Sequence, residues 1–289
     1  MVHPFSIKMI KKVVALVFFS LISSFASHAQ SAYDVCVKTF KNTKTINTMT
    51  YTMFKNERIG GVMKSQKSFT KLSIKPYMVY LRQISPKEGV EVLYKSGKNG
   101  GKALVNPNGF PWVNLNMNPM GSTMRKGQHH TTKDAGFDLV VSILEYLFNK
   151  YGDGAKSMVT FGNEVFSNKR KCYKVIFRDD SFKYIKYKVR GNENILDIAK
   201  RYKISEFMIV EKNKHVTGYY DVKAGDEILI PNIYSPHMVL LIDKTKLIPL
   251  SVKVYDDQGL FEHFKYSDVV LNPKFTAMDF DRNNAKYGF

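Results

Sequence analysis

The residues best suited to chemistry in this sequence are an adjacent histidine pair, His129 and His130. Neighbouring residues on a strand point to opposite faces, whereas the ligands of a zinc ion must converge on one point. The sequence offers no second cluster of His, Cys or carboxylate residues as evident partners for the pair. We therefore expect no metal site there, and we interpret the pair as ordering a loop or capping the helix that follows.

Motifs of the common catalytic sites are missing from the sequence, including GxSxG, HExxH and a paired CxxC. The pairs Asp179–Asp180 and Asp256–Asp257 are typical of turns rather than of acid/base catalysis. These observations predict a non-catalytic protein without a cofactor. A cell-wall enzyme with an unrecognised site remains the alternative.

Residues 1–30 have the pattern of a secretory signal peptide. Lysines precede an apolar run, and a small-x-small cleavage site ends at Ala29. The run is short for a membrane span, and no later segment reaches spanning length. The sequence thus predicts an exported protein, periplasmic or extracellular, with no transmembrane span in the mature chain.

Export bears on the two cysteines and on the charge. Cys36 and Cys172 are predicted to pair as a disulfide in an oxidising compartment, although the sequence cannot show that their Cα atoms lie close enough.

The net charge is +19, and the excess of Lys and Arg lies mainly between Cys36 and Ala135. Such a surface suits anionic glycans or lipid headgroups, or simply keeps an exported protein soluble. The predicted location argues against nucleic acid as a partner.

Strand-like composition predicts strands over 51–74, with a break at Gly60–Gly61, and over 76–84, 172–177, 182–189, 237–243 and 249–266, and a hairpin over 90–109 around the turn 97–101. An Asn-, Pro- and Gly-rich loop is expected over 106–132. One helix is predicted over 134–152, because apolar residues recur there at helical spacing and Gly152 can end it. The fold class is therefore predicted to be α+β, with an antiparallel, half-open β-barrel-like sheet and covering helices.

A helical segment, 193–205, interrupts the strand-rich second half of the chain. Two short helices with a predicted N-cap at Ser205 lie between the strands 187–189 and 227–230, which gives the order βααβ. The segment resembles the LysM module. The matching residues are Tyr187, Val189, Gly191, Ile195, Leu196, Ile198, Ala199, Arg201, Tyr202, Ile204, Ser205, Asn213, Val222, Gly225, Ile228, Ile230 and Pro231.

The LysM resemblance implies binding of peptidoglycan or a related N-acetylglucosamine polymer in a groove between two loops. The family's usual Gly-Asp-Thr-Leu in the first loop is replaced here, which leaves the conformation of that loop open. A purely structural insert is the alternative. Carried over to this sequence, the glycan-binding residues are Gly191, Asn192, Glu193, Asn194, Ile195, Asn213 and Lys214.

The rest of the chain resembles domain-of-unknown-function family 1571. The resemblance rests on stretches such as YTMFKNERIGG (51–61), KPYMVYLRQ (75–83) and HHTTKDAGFD (129–138), and on the segment 240–273. It implies a relationship to periplasmic lipoprotein carriers, in which helices cap a half-open barrel around an apolar cavity for acyl chains. We therefore predict a host domain over 31–186 and 235–289 and an inserted LysM module over 187–234. The resemblance implies a lipid or acyl ligand for the host domain, and the alternative is that its apolar residues fill an ordinary core.

Overall fold

Twelve antiparallel strands form one large sheet in the computed structural model, which describes residues 30–289. The predicted signal peptide lies outside these described residues except for Gln30. Two further strands, β10 and β11, form a small separate sheet. In chain order the strands are β1 Thr48–Ile59, β2 Val62–Ser73, β3 Met78–Ser85, β4 Glu91–Lys95, β5 Ala103–Asn106, β6 Leu115–Met117, β7 Val159–Phe161, β8 Val165–Ser167, β9 Arg170–Arg178, β10 Tyr184–Lys188, β11 Glu227–Pro231, β12 His237–Asp243, β13 Pro249–Asp256 and β14 Gly259–Leu271.

The large sheet has the order β6-β5-β4-β3-β2-β1-β14-β13-β12-β9-β7, with β8 also paired to β9. The first six strands form a meander, and the last three strands return so that β14 pairs with β1. The end strands β6 and β7 do not pair with each other within the described residues, so the sheet is open rather than closed into a barrel. The predicted α+β class and the antiparallel sheet are confirmed.

Two helices cover one face of the sheet. The predicted long helix is confirmed and ends at Gly152, which adopts a positive φ and donates its N–H to the carbonyl of Phe148. Tyr33 of the first helix stacks on Phe148, with ring centroids 4.7 Å apart. The helices are α1 Ala32–Thr43, α2 Ser122–Arg125, α3 Asp138–Tyr151, α4 Ala155–Met158, α5 Ile195–Tyr202 and α6 Glu206–Lys212.

None of the helices in residues 30–289 combines the length and the apolar character needed to cross a membrane, and the longest has 14 residues.

The opposite face of the sheet is covered by the C-terminal segment, for which the sequence shows no regular pattern. Phe280 is buried there with Tyr80 and Leu93. Tyr287 stacks on Tyr80, with ring centroids 3.7 Å apart. The first half of the sheet is therefore covered on this face by side chains that lie about 200 residues further along the chain.

The βααβ unit forms as the sequence predicts, and it has an apolar core of its own built around residues such as Ile195, Ile198 and Ile209. Asn194 caps α5 and accepts from the backbone N–H of Leu196 and Asp197. The predicted cap Ser205 accepts from the N–H of Met208 at the start of α6. The side chain of Met208 nevertheless belongs to the core of the large sheet, so the unit shares its second helix with the rest of the protein.

The predicted bridge between Cys36 and Cys172 is not formed, and both residues are free and buried. Cys36 lies in the apolar interface of α1, whereas the thiol of Cys172 on β9 donates to the carbonyl of Arg170 at 3.5 Å. Each sulfur therefore has its own separate environment in the core.

Candidate functional site

A cavity of about 470 Å³ lies over the first half of the large sheet. Strands β1–β6 and β14 form its floor. Residues 118–136, which we call the covering segment, and the first turn of α3 form its roof. One row of directly paired residues crosses six strands along the floor, namely Tyr51, Thr70, Leu81, Val92, Val105 and Leu115.

The polarity of the cavity changes along the strands. The floor row is largely apolar, and Met117, Met124, Leu139 and Val140 add to the apolar surface. Four residues beyond Tyr51 along β1 the lining becomes polar, because Lys55 pairs directly with Gln66, and Gln83 lies on the neighbouring strand β3. Lys87 and Lys126 also line the cavity. The cavity thus combines an apolar interior with three cationic side chains.

A loop beside the cavity exposes aromatic side chains. Phe110 and Trp112 are 86% and 80% exposed, while Pro107 and Leu115 at the ends of the same loop line the cavity. This loop follows β5 and leads into β6 at the edge of the sheet.

Hydrogen bonds fasten the covering segment to the sheet. Gly136 donates its N–H to the hydroxyl of Tyr51 at 3.1 Å, and its carbonyl accepts from the hydroxyl of Tyr266 at 2.9 Å. Tyr77 donates to the carbonyl of Thr132 at 2.8 Å. These tyrosines lie on or beside strands, so the roof of the cavity is held by the rigid part of the fold.

A buried cluster of two histidines and two glutamates adjoins the cavity. His129 Nδ1 lies 3.0 Å from Glu262 Oε2, and His130 Nε2 lies 2.8 Å from the same oxygen. Glu57 is the direct cross-strand partner of Glu262. One ligand atom from each of the four residues lies within 4.8 Å of the others. The ring of His129 packs against the rings of Phe261 and Phe207, with centroids 4.0 and 4.3 Å away.

The expectation that His129 and His130 point apart and lack partners was wrong. They lie in a loop of the covering segment rather than in a strand, so both rings reach Glu262. Their partners come from β1 and β14, which only the folded sheet places side by side. The sequence of β1 contains a signal for this cluster. Every second residue from Tyr51 to Lys55 faces the cavity, and Glu57 is the next residue at this spacing, so a carboxylate lies on the buried face of the strand.

Electrostatics couple the members of this cluster. Burial lowers the pKa of His130, but attraction and a hydrogen bond from Glu262 outweigh burial and raise that pKa to about 9. Burial likewise raises the pKa of Glu262, yet the two histidines outweigh it and hold that pKa well below its usual range. The structure therefore favours a charged carboxylate at Glu262 inside a water-poor environment.

The residues predicted for glycan binding lie on two loops that do come together. The backbone N–H of Ile195 donates to the carbonyl of Tyr219 at 3.0 Å, which joins the first loop to the loop after α6. Gly191 has a positive φ, and the space where a side chain would begin is open. Asn192 and Lys214 are exposed.

Several of these predicted residues use their side chains inside the protein. The amide of Asn213 donates to the carbonyls of Ile209 and Leu229 and accepts from the N–H of Leu229. Glu193 accepts from the hydroxyl of Tyr187 and forms an ion pair with Arg201. The side chain of Ile195 is buried and that of Asn194 caps α5. A ligand at these loops would mainly meet backbone groups.

The βααβ unit contacts the covering segment through a buried arginine. Arg125 of α2 pairs with Glu206 of α6, and its guanidinium lies 4.1 Å from the ring centre of Tyr219. Arg58 of β1 also reaches Glu211 of α6, at 3.6 Å. The second helix of the unit, α6, therefore supplies two carboxylates that pair with arginines, one in the covering segment and one on β1.

The fold and the cavity together define an α+β protein in which a covering segment roofs an apolar cavity on an open antiparallel sheet. The sequence model of the family described as "Protein of unknown function (DUF1571)" matches residues 46–206, more than half of the chain. The chain belongs to this family, as the sequence predicts. The match continues through β10 and α5, so the family model includes the first half of the βααβ unit.

Several solved structures are distantly similar to this chain. A putative outer membrane lipoprotein-sorting protein domain from Vibrio parahaemolyticus has 10% identity and a TM-score of 0.35, covering 88% of this chain and 97% of that one. A LolA superfamily protein from Nitrosomonas europaea has 9% identity and a TM-score of 0.33, covering 88% and 99%. Lipoprotein LppX from Mycobacterium tuberculosis has 10% identity and a TM-score of 0.40, covering 85% and 97%. No curated protein matches the sequence.

Proposed function

We propose that this protein is an exported, non-catalytic component of the cell envelope that carries an amphiphilic lipid in the cavity. The observation that carries the proposal is the cavity of about 470 Å³ with an apolar floor row and lysines in its lining. Its volume falls within the range of roughly 300–1,000 Å³ typical of small-molecule sites. An ordinary core would be packed to a density that leaves no such space.

The distribution of polar groups suggests the class of ligand. Acyl chains would lie along the floor row from Tyr51 to Leu115, because their burial against apolar walls removes both surfaces from water. An anionic headgroup would lie near Lys55, Lys87 and Lys126, where it gains charge-assisted hydrogen bonds. The ligand class is thus a lipid with a phosphate or carboxylate headgroup.

The non-catalytic part of the proposal rests on the lining of the cavity. Among the described residues, His130 is the histidine that lines it, and its Nε2 is already engaged with Glu262. A cell-wall enzyme would release soluble fragments from purified peptidoglycan, and fragment release by the pure protein would replace the carrier proposal with that alternative.

The test of the carrier is mass spectrometry of an organic extract of the purified mature protein, together with a variant that fills the cavity. Leu81→Trp places a large ring on the cavity floor and should abolish co-purifying lipid. Met78→Trp is the matched control, because Met78 lies on the same strand but packs on the opposite face. Wild-type protein without lipid, or equal lipid in the two variants, would contradict the proposal.

A second candidate function is weak binding of peptidoglycan by the βααβ unit. The supporting observation is the junction of the two loops at Ile195 and Tyr219 beside the open space at Gly191. Backbone N–H and C=O groups can hold acetamido groups without particular side chains. A single small polar site of this kind binds weakly, since each hydrogen bond contributes only about 0.5–1.5 kcal/mol.

The glycan proposal is tested by co-sedimentation with insoluble peptidoglycan. Asn192→Trp blocks the exposed first loop, and it is preferable to a change at Gly191, whose positive φ strains other residues. Lys64→Gln together with Lys67→Gln is the control for general charge attraction, since both lysines are exposed and distant in sequence. Reduced sedimentation of the Asn192 variant alone supports the site, whereas loss confined to the lysine variant assigns the attraction to charge.

A further inference from the structure

Four buried side chains converge beside the cavity with the composition of a metal site. We propose that Glu57, His129, His130 and Glu262 bind a divalent first-row transition ion, with Zn²⁺ as the best fit. The ion would sit between two sheet strands and the covering segment. This site is independent of which ligand the cavity holds.

The hydrogen bonds of His129 identify its ligand atom. Its Nε2 lies 2.9 Å from the carbonyl oxygen of Arg58, which can only accept, so Nε2 carries a proton and donates. In the neutral ring Nδ1 then has a lone pair, and this atom faces the carboxylate oxygen of Glu262 at 3.0 Å. Two lone pairs this close repel each other unless a proton or a metal ion lies between them. A donated N–H to a backbone carbonyl is also the usual outer partner of a metal-bound histidine.

Glu57 provides a second, independent observation. Its side chain is 2% exposed, and no group within residues 30–289 gives its Oε1 a hydrogen bond, although Oε2 pairs with Lys55 at 3.1 Å. Its direct cross-strand neighbour is Glu262, which is also buried. Like charges opposite each other on paired strands are destabilising, and a buried unpaired carboxylate oxygen is costly. A divalent cation removes both penalties at once.

The geometry requires only small adjustments to accept an ion. The four ligand atoms lie within 4.8 Å of one another. Ligands about 2.0–2.1 Å from a tetrahedral ion are separated by roughly 3.4 Å. Two imidazole nitrogens and two carboxylate oxygens favour Zn²⁺ over Ca²⁺ or Mg²⁺, which prefer oxygen alone. Tyr234 donates to the other oxygen of Glu262 at 2.8 Å and would orient that ligand.

The position of the site suggests how an ion reaches it and what a bound ion does to the structure. His130 lines the cavity, so an ion can reach the cluster through the cavity when no ligand fills it. Glu57 and Glu262 belong to β1 and β14, whereas His129 and His130 belong to the covering segment. A bound ion would therefore fasten the roof of the cavity to its floor.

The test uses the full mature protein after treatment with a chelator. Titration with Zn²⁺ should give one site per chain and raise the thermal midpoint, and Co²⁺ should give the visible absorption of a four-coordinate ion. Glu57→Gln is the decisive variant, because it keeps the shape of the side chain. We expect it to weaken Zn²⁺ binding by at least about 100-fold, since changes to outer partners alone cost about 10–100-fold.

Glu91→Gln is the matched control. Glu91 is a buried glutamate that accepts from Tyr80 and from the N–H of Gly288, away from the cluster. Its variant should lose stability yet keep the affinity for Zn²⁺. Circular dichroism of the chelated proteins confirms that each variant is folded. Absence of stoichiometric binding by wild type, or equal affinity in Glu57→Gln, would overturn the proposal and leave a cluster held together by protons.

Discussion

Arg58 connects three parts of the molecule through buried charges. Its guanidinium donates to Asp256 at the end of β13, with one nitrogen 2.9 Å from Oδ1, and it also reaches Glu211 of α6. Its carbonyl accepts from His129. Removing one partner of a buried pair is strongly destabilising, because the remaining charge stays desolvated.

We therefore expect Asp256→Asn to lower the free energy of unfolding by about 3–5 kcal/mol. Urea denaturation followed by circular dichroism measures this value. Lys44→Gln is the control, because its ion pair with Glu145 is largely exposed and should contribute no more than about 1 kcal/mol. Equal losses in the two variants would show that Asp256 does not hold a buried charge.

The two thiols allow a prediction about reactivity. Burial raises the pKa of Cys36 to about 12 and also raises that of Cys172, so at neutral pH neither side chain is a thiolate. Because the thiolate is the reactive form, native protein should resist thiol reagents. After denaturation without a reducing agent, two cysteines per chain should be labelled. Absence of labelling under those conditions would show that the bridge predicted from the sequence exists.

At the scale of elements, the second helix of the βααβ unit has two different faces. Met208 contributes to the core of the large sheet, whereas its neighbour Ile209 contributes to the core of the unit. Phe207 lies against His129 of the covering segment. The unit has the sequence pattern of an insert, but one of its helices is also part of the main domain.

Paired truncations in this helix test that arrangement. Met208→Ala and Ile209→Ala should each cost about 2–5 kcal/mol, as expected for buried aliphatic side chains. Hydrogen exchange distinguishes them, since Met208→Ala should accelerate exchange in strands of the large sheet as well. Ile209→Ala should accelerate it mainly in β10 and β11. Effects of Met208→Ala confined to the small sheet would mean that the unit is energetically separate.

Local patterns in the sequence were sufficient for most elements. The apolar spacing from Phe137 to Tyr151 predicted α3, and Ser205 predicted the start of α6. The cluster at His129 was not predictable in the same way, because its partners Glu57 and Glu262 are distant in sequence and depend on the pairing of the first and last strands. The C-terminal segment was missed for a similar reason, since its aromatic residues find their partners on β3 and β4.

At the scale of the whole molecule, the open sheet ends in very short strands. Both β6 and β7 have three residues, which limits the row of unpaired backbone groups that another chain could extend. The net charge of +19 adds repulsion between copies. An open sheet of this size can therefore remain free of edge-to-edge association.

The exposed loop beside the cavity has a spectroscopic consequence. Trp112 is the single tryptophan of the chain, and its ring is already 80% exposed in the folded protein. Its emission should therefore have nearly the same wavelength before and after unfolding, while circular dichroism records a cooperative loss of structure. A strongly blue-shifted native emission would contradict the placement of this loop in water. Tryptophan fluorescence, the usual monitor of folding, would thus change little when this protein unfolds. It would report mainly on molecules that contact the exposed loop beside the cavity.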